Sequence, residues 1–287
     1  MDIFVTQNAG FCVGVRRAVG LAMAQNSGSF TYGDIVNNSK VVRELEEKGI
    51  KSVSDISDIP NGATVVIRAH GVPKNDYEKL MKKNVKIIDG TCPSVAKVQK
   101  IVSEYYLKGY KIVILGDKKT HPETIGNNGW CENKAIIIEN NQLIMNDAFE
   151  ELDKNDRICA VACTTVSQEK WNELKDFLNR NFENAESFDT ICNATKRAQD
   201  EAAQMAMDAD AMIVIGDKKS SNSNKLNDIC RARCANTQFV NDVNEVDFGA
   251  LGTCGKVGIV AGLSTTDGLI GEICEEIRAL NKMINDK

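Results

Sequence analysis

The sequence predicts an α/β protein made of three similar α/β domains in a pseudo-threefold arrangement. Three observations lead there. Short apolar runs rich in Val and Ile, among them ATVVIRAH (63–70), KIVILGDKK (111–119) and AMIVIGDKK (211–219), alternate with helical segments, the pattern of strands buried in a parallel sheet. The chain also repeats itself at a spacing of 100 residues: DGTCPSVAKVQ (89–99) matches DTICNATKRAQ (189–199), and KIVILGDKKTH (111–121) matches AMIVIGDKKSS (211–221). Finally, 287 residues with 43% hydrophobic and 26% charged composition exceed one typical domain yet are ordinary for a folded chain.

Each copy of the repeat reads as a strand, a cysteine at the turn, then a helix. The first strand is expected over Ile3–Val5, with Cys12 following it and a helix from Val13. FCVGVRRA (11–18) is a weaker copy of ICNATKRA (191–198), so the N-terminal stretch 1–13 is expected to complete the last domain. Lys86–Ile88 leads to Cys92 and a helix from Pro93, a residue suited to the first helical position because no N–H is needed there. Ser187–Phe188 leads to Cys192 and a helix from Asn193. The domains are accordingly expected at 14–92, 93–188 and 189–287, the last completed by 1–13. The second strand of each is expected to end in a polar cluster, with 63–73, 111–123 and 211–224 as equivalents. Functional residues of such folds gather beyond the carboxyl ends of the strands.

Composition excludes several classes. Lys and Arg number 35 against 40 Asp and Glu, a net charge of −5 without a basic stripe, so no nucleic-acid partner is expected. The start MDIFV lacks the basic flank and apolar core of a signal peptide, and no apolar run approaches the ~20 residues that span a bilayer. A cytoplasmic protein with no membrane partner is the expectation. Ten cysteines spread over such a chain read as thiols or metal ligands rather than a disulfide scaffold. No Gly-x-Gly-x-x-Gly is present, so direct nicotinamide binding is unsupported.

Around a threefold axis, Cys12, Cys92 and Cys192 can converge. Each lies at a helix N-terminus, where backbone N–H groups favour thiolate. Without the repeat, three such separated cysteines would read as structural; with it, they suit a soft metal centre such as an iron–sulfur cluster. A four-iron cluster normally takes four cysteines, and three leave one iron open to substrate. Of the rest, Cys159 and Cys163 share a strand face and Cys230 and Cys234 stand four apart on a helix, both readable as packing. Cys131, Cys254 and Cys274 have no evident partner.

The chain has two histidines, His70 and His121, each directly after an apolar strand and, on this repeat, at matching positions. Histidine delivers protons or binds phosphate near neutral pH. Glu123 can donate a proton if burial raises its pKa. Ser220, Ser221, Asn222, Ser223 and Asn224 precede a helix; one of them would serve as a cap, and five suggest an anion site. Thr164-Thr165 and Ser264-Thr265-Thr266 add hydroxyls at strand ends. Together these residues describe a polar pocket for a small phosphorylated substrate beside a metal cluster.

The blocks GFCVGVRRA, RAHGV, DGTCP, THPE, CTT, ATKRAQ, GDKKSSNSN and AGLSTTD, in that order, resemble the IspH/LytB reductases of the non-mevalonate isoprenoid pathway. The likeness runs from Cys12 to the final helix. It implies three α/β domains around a central iron–sulfur site, with Cys12, Cys92 and Cys192 holding a [4Fe-4S] cluster through three protein ligands. It further implies that His70, Ser220, Ser221, Asn222 and Ser264 bind the diphosphate of 4-hydroxy-3-methylbut-2-enyl diphosphate. His121, Glu123 and Thr164 would arrange its hydroxyl and the protons, with Glu123 the donor. Two electrons from a ferredoxin or flavodoxin would remove the hydroxyl as water, giving isopentenyl or dimethylallyl diphosphate. Three positions depart from the family. Asn37 stands where a histidine is usual and keeps only a neutral contact to phosphate; Cys163 replaces a glutamine; and 263–266 reads Leu-Ser-Thr-Thr. The alternatives are an IspH-like cluster reductase acting on another small substrate, and a non-catalytic cluster-based redox protein.

Overall fold

The computed structural model describes residues 1–139 and 146–285. The chain opens with β1 (Asp2–Val5) and α1 (Val13–Met23), then forms β2 (Phe30–Tyr32), α2 (Ser39–Glu47), β3 (Lys51–Val53), β4 (Thr64–Ile67), α3 (Lys74–Lys82) and β5 (Lys86–Asp89). After α4 (Pro93–Leu107) come β6 (Lys111–Gly116), α5 (Pro122–Asn128), β7 (Ile136–Glu139), β8 (Arg157–Ala162), α6 (Gln168–Asn181) and β9 (Asn184–Phe188). After α7 (Asn193–Asp208) come β10 (Ala211–Ile215), α8 (Ser221–Arg231), β11 (Thr237–Val240), β12 (Lys256–Ala261) and α9 (Asp267–Asn285). The helices from Val13, Pro93 and Asn193 start where the sequence places them.

All strand pairing among the described residues is parallel, in sheets ordered β3-β2-β4-β5, β7-β6-β8-β9 and β11-β10-β12-β1. The first strand therefore joins the last sheet, Asp2 opposite Lys256 and Val5 opposite Ile259. The strands that run through the middle are buried on both faces, as five consecutive enclosed residues in β6, β8, β10 and β12 show. This is why their sequences lack alternation. Helices cover those faces with one stripe each. On α6, Trp171, Leu174 and Leu178 recur at i, i+3 and i+7 and are 0–1% exposed within the β6/β8 core. Each such side chain contributes about 1.5–3 kcal/mol through burial.

Register corrects one sequence equivalence. The last paired residues are Tyr32 with Ile67, Leu115 with Ala162 and Ile215 with Ala261. Hence β2, β6 and β10 correspond, each followed by the same dipeptide: Gly33-Asp34, Gly116-Asp117 and Gly216-Asp217. The first-sheet counterpart of the 111–123 and 211–224 blocks is β2 with the loop after it, not 63–73, which is β4 with its loop. His70 and His121 thus occupy non-equivalent positions.

The chain divides into two compact units, one of Met1–Val15, Asn37–Ser39 and Asn193–Lys287, the other of Arg16–Val36 and Lys40–Cys192. The former holds the β1-containing sheet and the latter the other two. Among the described residues no helix is long and apolar enough to cross a membrane.

Candidate active site

The three repeat cysteines share one backbone device. The N–H of Cys12 donates to the Leu263 carbonyl at 3.1 Å, that of Cys92 to Ala69 at 2.9 Å and that of Cys192 to Thr164 at 3.1 Å. Each acceptor is the second residue past β12, β4 or β8, so the outer strand's loop is tied to the neighbouring strand's loop in all three copies. Each cysteine immediately precedes a helix, Cys92 as the N-cap of α4. All three are partly exposed thiols. Ser94, on the first turn of α4, hydrogen-bonds the Cys192 sulfur at 3.8 Å, which brings two of the three into one neighbourhood of the larger unit. Cys131, Cys159, Cys163, Cys230, Cys234 and Cys274 are buried. Burial pushes the Cys131 thiol up to about 11 and those of Cys159 and Cys230 to about 12. Partly exposed thiols at helix starts are accessible to an iron–sulfur cluster. Among the described residues no three His, Cys, Asp or Glu side chains are gathered as a ready metal site.

In the larger unit, the loop after β6 and the helix α5 carry His121 and Glu123. His121 is the N-cap, its Nδ1 accepting the Glu123 N–H at 3.3 Å, and Pro122 occupies the first helical position. Glu123 is 1% exposed. Its Oε1 accepts the Thr164 N–H and its Oε2 the Thr164 hydroxyl, both at 2.7 Å. Burial outweighs these bonds and raises the Glu123 carboxyl from 4.5 to about 7. A neighbouring hydroxyl, that of Thr165, donates to Asp117. The His70 and His121 rings meet edge to face, 5.5 Å between centroids. His70 is half-buried as a residue, and its Nδ1 is enclosed with no hydrogen-bond partner. Loss of solvent, then the proximity of His121 and Arg68, pushes its pKa down to about 3, so the ring is neutral at physiological pH. Burial likewise lowers His121, with Asp117 pulling the other way.

In the smaller unit, α8 begins behind Ser220, whose Oγ accepts the Ser223 N–H at 3.3 Å. The amide nitrogen and oxygen of Asn222 and the hydroxyl of Ser223 are all enclosed without a hydrogen-bond partner. Such atoms cost free energy unless a ligand or water satisfies them, and several stand together at this helix start. Ser221 is the first residue of α8. Segment 37–39 belongs to this unit and is tied to it by several hydrogen bonds. The Ser264 hydroxyl donates to the Asn37 carbonyl at 3.4 Å, Asn38 Nδ2 to the Ser264 carbonyl at 2.6 Å, and the Ser39 N–H to Asp217 at 2.9 Å. Burial alone would raise Asp217, but bonds from the Ser39 hydroxyl and the Lys219 and Ser39 amides hold its carboxyl below the ordinary value.

Sequence reasoning passed over Asn38, Ser39 and the Gly33-Asp34 copy, as well as Thr124 and Asn127, both 0% exposed beside Glu123. The third Gly-Asp dipeptide was readable; the partners of Thr124 and Asn127 depend on a strand some 40 residues later.

A repeated parallel-sheet fold whose loops beyond the strands carry partly exposed thiols, a buried carboxyl of raised pKa and a helix start with unpartnered polar groups is that of an α/β enzyme. The chain belongs to the LytB protein family, whose model matches residues 3–278. It is 42% identical to the 4-hydroxy-3-methylbut-2-enyl diphosphate reductase of Caldanaerobacter subterraneus subsp. tengcongensis, with 98% of each chain covered. The reductase of that name from Clostridioides difficile is also 42% identical, over 95% of this chain and 98% of the relative. A solved structure of (E)-4-hydroxy-3-methyl-but-2-enyl diphosphate reductase, the terminal enzyme of the non-mevalonate pathway, superposes with a TM-score of 0.71 at 34% identity, covering 97% and 100% of the two chains. The E-1-hydroxy-2-methyl-but-2-enyl-4-diphosphate reductase of Plasmodium falciparum superposes with a TM-score of 0.86 at 26% identity, covering 96% and 87%.

Proposed function

We propose that this chain is an oxidoreductase that reduces 4-hydroxy-3-methylbut-2-enyl diphosphate to isopentenyl and dimethylallyl diphosphate. The reaction consumes two electrons and two protons and releases the substrate hydroxyl as water. The observation that carries this reading is Glu123, a buried carboxyl still holding its proton near neutral pH with Thr164 on both oxygens. When Glu123 is protonated, Oε2 donates to Thr164 Oγ1, and the Thr164 hydrogen turns outward toward the departing hydroxyl. His121 fixes the first turn of α5 through the Glu123 N–H and so holds that carboxyl in place.

Cys12, Cys92 and Cys192 are the protein ligands of a [4Fe-4S] cluster in this proposal, their partial exposure and helix-start positions being the supporting features. Such a cluster supplies electrons and a Lewis-acidic iron when bound. The diphosphate is bound by His70, Asn37, Ser220, Ser221, Asn222 and Ser264. Unsatisfied atoms of His70 and Asn222 support this assignment. Asn37 offers no charge, so the hydroxyls and amides of α8 carry more of the binding. The electron donor is a ferredoxin or flavodoxin, the compartment the cytoplasm, and the domains are 14–92, 93–188 and 189–287 with 1–13, one sheet in each.

The test is oxidation of reduced methyl viologen by anaerobically purified, cluster-loaded protein on addition of the diphosphate. Rapid turnover is expected. An intact cluster without turnover would direct the search to another small substrate, and a cluster that exchanges electrons with no substrate at all would leave a redox carrier.

A further inference from the structure

We propose that Asp217 is a positioning residue for the diphosphate site: its carboxylate seats Ser39, and with it the segment that carries Asn37, against the loop in front of α8. This rests on the reading of Asn37, Ser264 and the α8 start as diphosphate contacts, and it concerns what holds them together.

The second and third sheets carry the same pair of polar residues and use it differently. Leu115 pairs with Ala162 and Ile215 with Ala261. Asp117 and Asp217, two residues past the inner strand positions, are therefore counterparts, and so are Thr165 and Ser264, three residues past the outer ones. In the β6 sheet the two bond directly, the Thr165 hydroxyl donating to Asp117. In the β10 sheet both turn instead to segment 37–39, which belongs to the same compact unit. Asp217 Oδ2 accepts the Ser39 N–H at 2.9 Å, and the Ser39 hydroxyl donates to it as well. Ser264 Oγ donates to the Asn37 carbonyl at 3.4 Å, and Asn38 Nδ2 donates to the Ser264 carbonyl at 2.6 Å. A stretch of chain from between β2 and α2 thus stands where the β6 sheet has a single hydrogen bond.

The first sheet follows the second. Asp34 takes the hydroxyl of Ser52, on the neighbouring strand β3, at 2.9 Å. Of the three aspartates behind the Gly-Asp turns, Asp217 is the one bonded to a hydroxyl from outside its own sheet and loops. It is also built into the start of α8. Asp217 is 5% exposed. Its Oδ1 accepts the Lys219 N–H at 2.9 Å, and its backbone carbonyl accepts the N–H of Ser220, the cap of α8, at 2.9 Å. One residue therefore holds both the loop in front of α8 and the segment that carries Asn37.

The sign of its charge separates two roles. A carboxylate beside an anion site weakens binding by repulsion, so its removal would tighten binding if charge were all it contributed. Its two oxygens, however, take three hydrogen bonds, and bonds to an ionised acceptor are about twice as strong as neutral ones. Asn37 brings no charge of its own, so its contribution depends on being held in place before the ligand arrives.

The experiment measures binding of inorganic pyrophosphate to cluster-loaded protein by calorimetry, with hydrogen exchange of the peptide spanning 37–39 followed in the same samples. In Asp217→Asn the Kd for pyrophosphate is expected to rise about tenfold, and exchange at Ser39 to quicken by a similar factor. Ser39→Ala leaves the carboxylate and its charge in place and raises the Kd by a smaller factor, which keeps the test open should the asparagine variant fold poorly. The two changes together weaken binding no more than Asp217→Asn alone, because both break one contact. In turnover, KM for the diphosphate rises and kcat is unchanged. A Kd that stays the same or falls in Asp217→Asn overturns the proposal, and so does exchange at Ser39 that the substitution leaves untouched. A parent protein that takes up no pyrophosphate, while Asp217→Asn still frees Ser39, removes the diphosphate reading and keeps Asp217 as the holder of segment 37–39.

Discussion

The helices after β6 and β10 leave the same Gly-Asp turn and arrive at opposite chemistry. In both copies the glycine lets the helix approach closely: an added Cβ would come within 2.5 Å of Thr124 Oγ1 at Gly116 and 2.3 Å of Ser223 Oγ at Gly216. Behind Gly116-Asp117 the helix begins His-Pro-Glu and buries an ionisable carboxyl whose partners are complete. Behind Gly216-Asp217 it begins with serines and asparagines and buries neutral polar groups whose partners are missing. The difference teaches that the backbone supplies a place, a helix start at a strand's carboxyl end, and a few side chains decide whether it buries a titratable carboxyl or neutral polar groups.

The largest expected effect lies at the three repeat cysteines, the proposed cluster ligands. Replacing Cys12, Cys92 or Cys192 singly by Ser is expected to remove most of the bound iron and sulfide and abolish turnover, whereas Cys254→Ser, equally solvent-reachable but outside the repeat, keeps both. Iron content and visible absorbance read this directly. Next in size is Glu123→Gln, expected to lower kcat by about 10²–10⁴-fold with little change in KM. A rise in KM instead would assign Glu123 to binding and collapse the distinction between the two helices.

The same carboxyl makes a stability prediction. Its pKa is raised in the fold from 4.5 to about 7, so the native state binds more protons than the unfolded chain across that window. Stability therefore falls as pH rises from about 4.5 through 7, and below that window the group contributes no difference. Glu123→Gln should be more stable than the parent at pH 8, by on the order of 3 kcal/mol, and no more stable at pH 4. Denaturant unfolding at the two pH values checks it. On the other helix, Asn222→Ala should raise KM about tenfold, roughly 1–2 kcal/mol, and leave kcat alone. It should change stability little, since no protein group pairs with the Asn222 amide. The smallest effect is expected from Ser220→Ala, a lost cap worth about 1 kcal/mol, visible as a lower midpoint in denaturant.

The helix starts behind Cys12, Cys92 and Cys192 and the placement of β1 were legible in the sequence because the repeat is written in unusual residues. A cysteine at a fixed distance from a strand recurs visibly. The histidine equivalence failed for a physical reason. Strands β4 and β6 are both buried on two faces, so both read as Val/Ile runs that end in polar residues, and composition alone does not say which strand pairs with which. The true first-sheet copy, β2, is only Phe30–Tyr32 with a buried threonine in the middle, too short and polar to register as a strand of that kind. Asn127 and Thr124 escaped because a residue becomes part of a site through what lies across from it. Cys163, whose sulfur takes the Asn127 amide, reads in the sequence both as one of two packing cysteines on a strand and as a replacement for the family's glutamine.

The pairing of β1 with β12 also sets an order of events during synthesis. Every residue of the larger unit leaves the ribosome before Lys256–Ala261 exists to receive Asp2–Val5. The opening strand must wait, unpaired, through most of translation, and Cys12 gains its tie to Leu263 only when the last sheet closes. A nascent chain can thus fold two of its three sheets while lacking one thiol of the proposed set, so metal loading belongs to the finished polypeptide, and a chain truncated before β12 would fold in part yet have nothing to anchor its first cysteine.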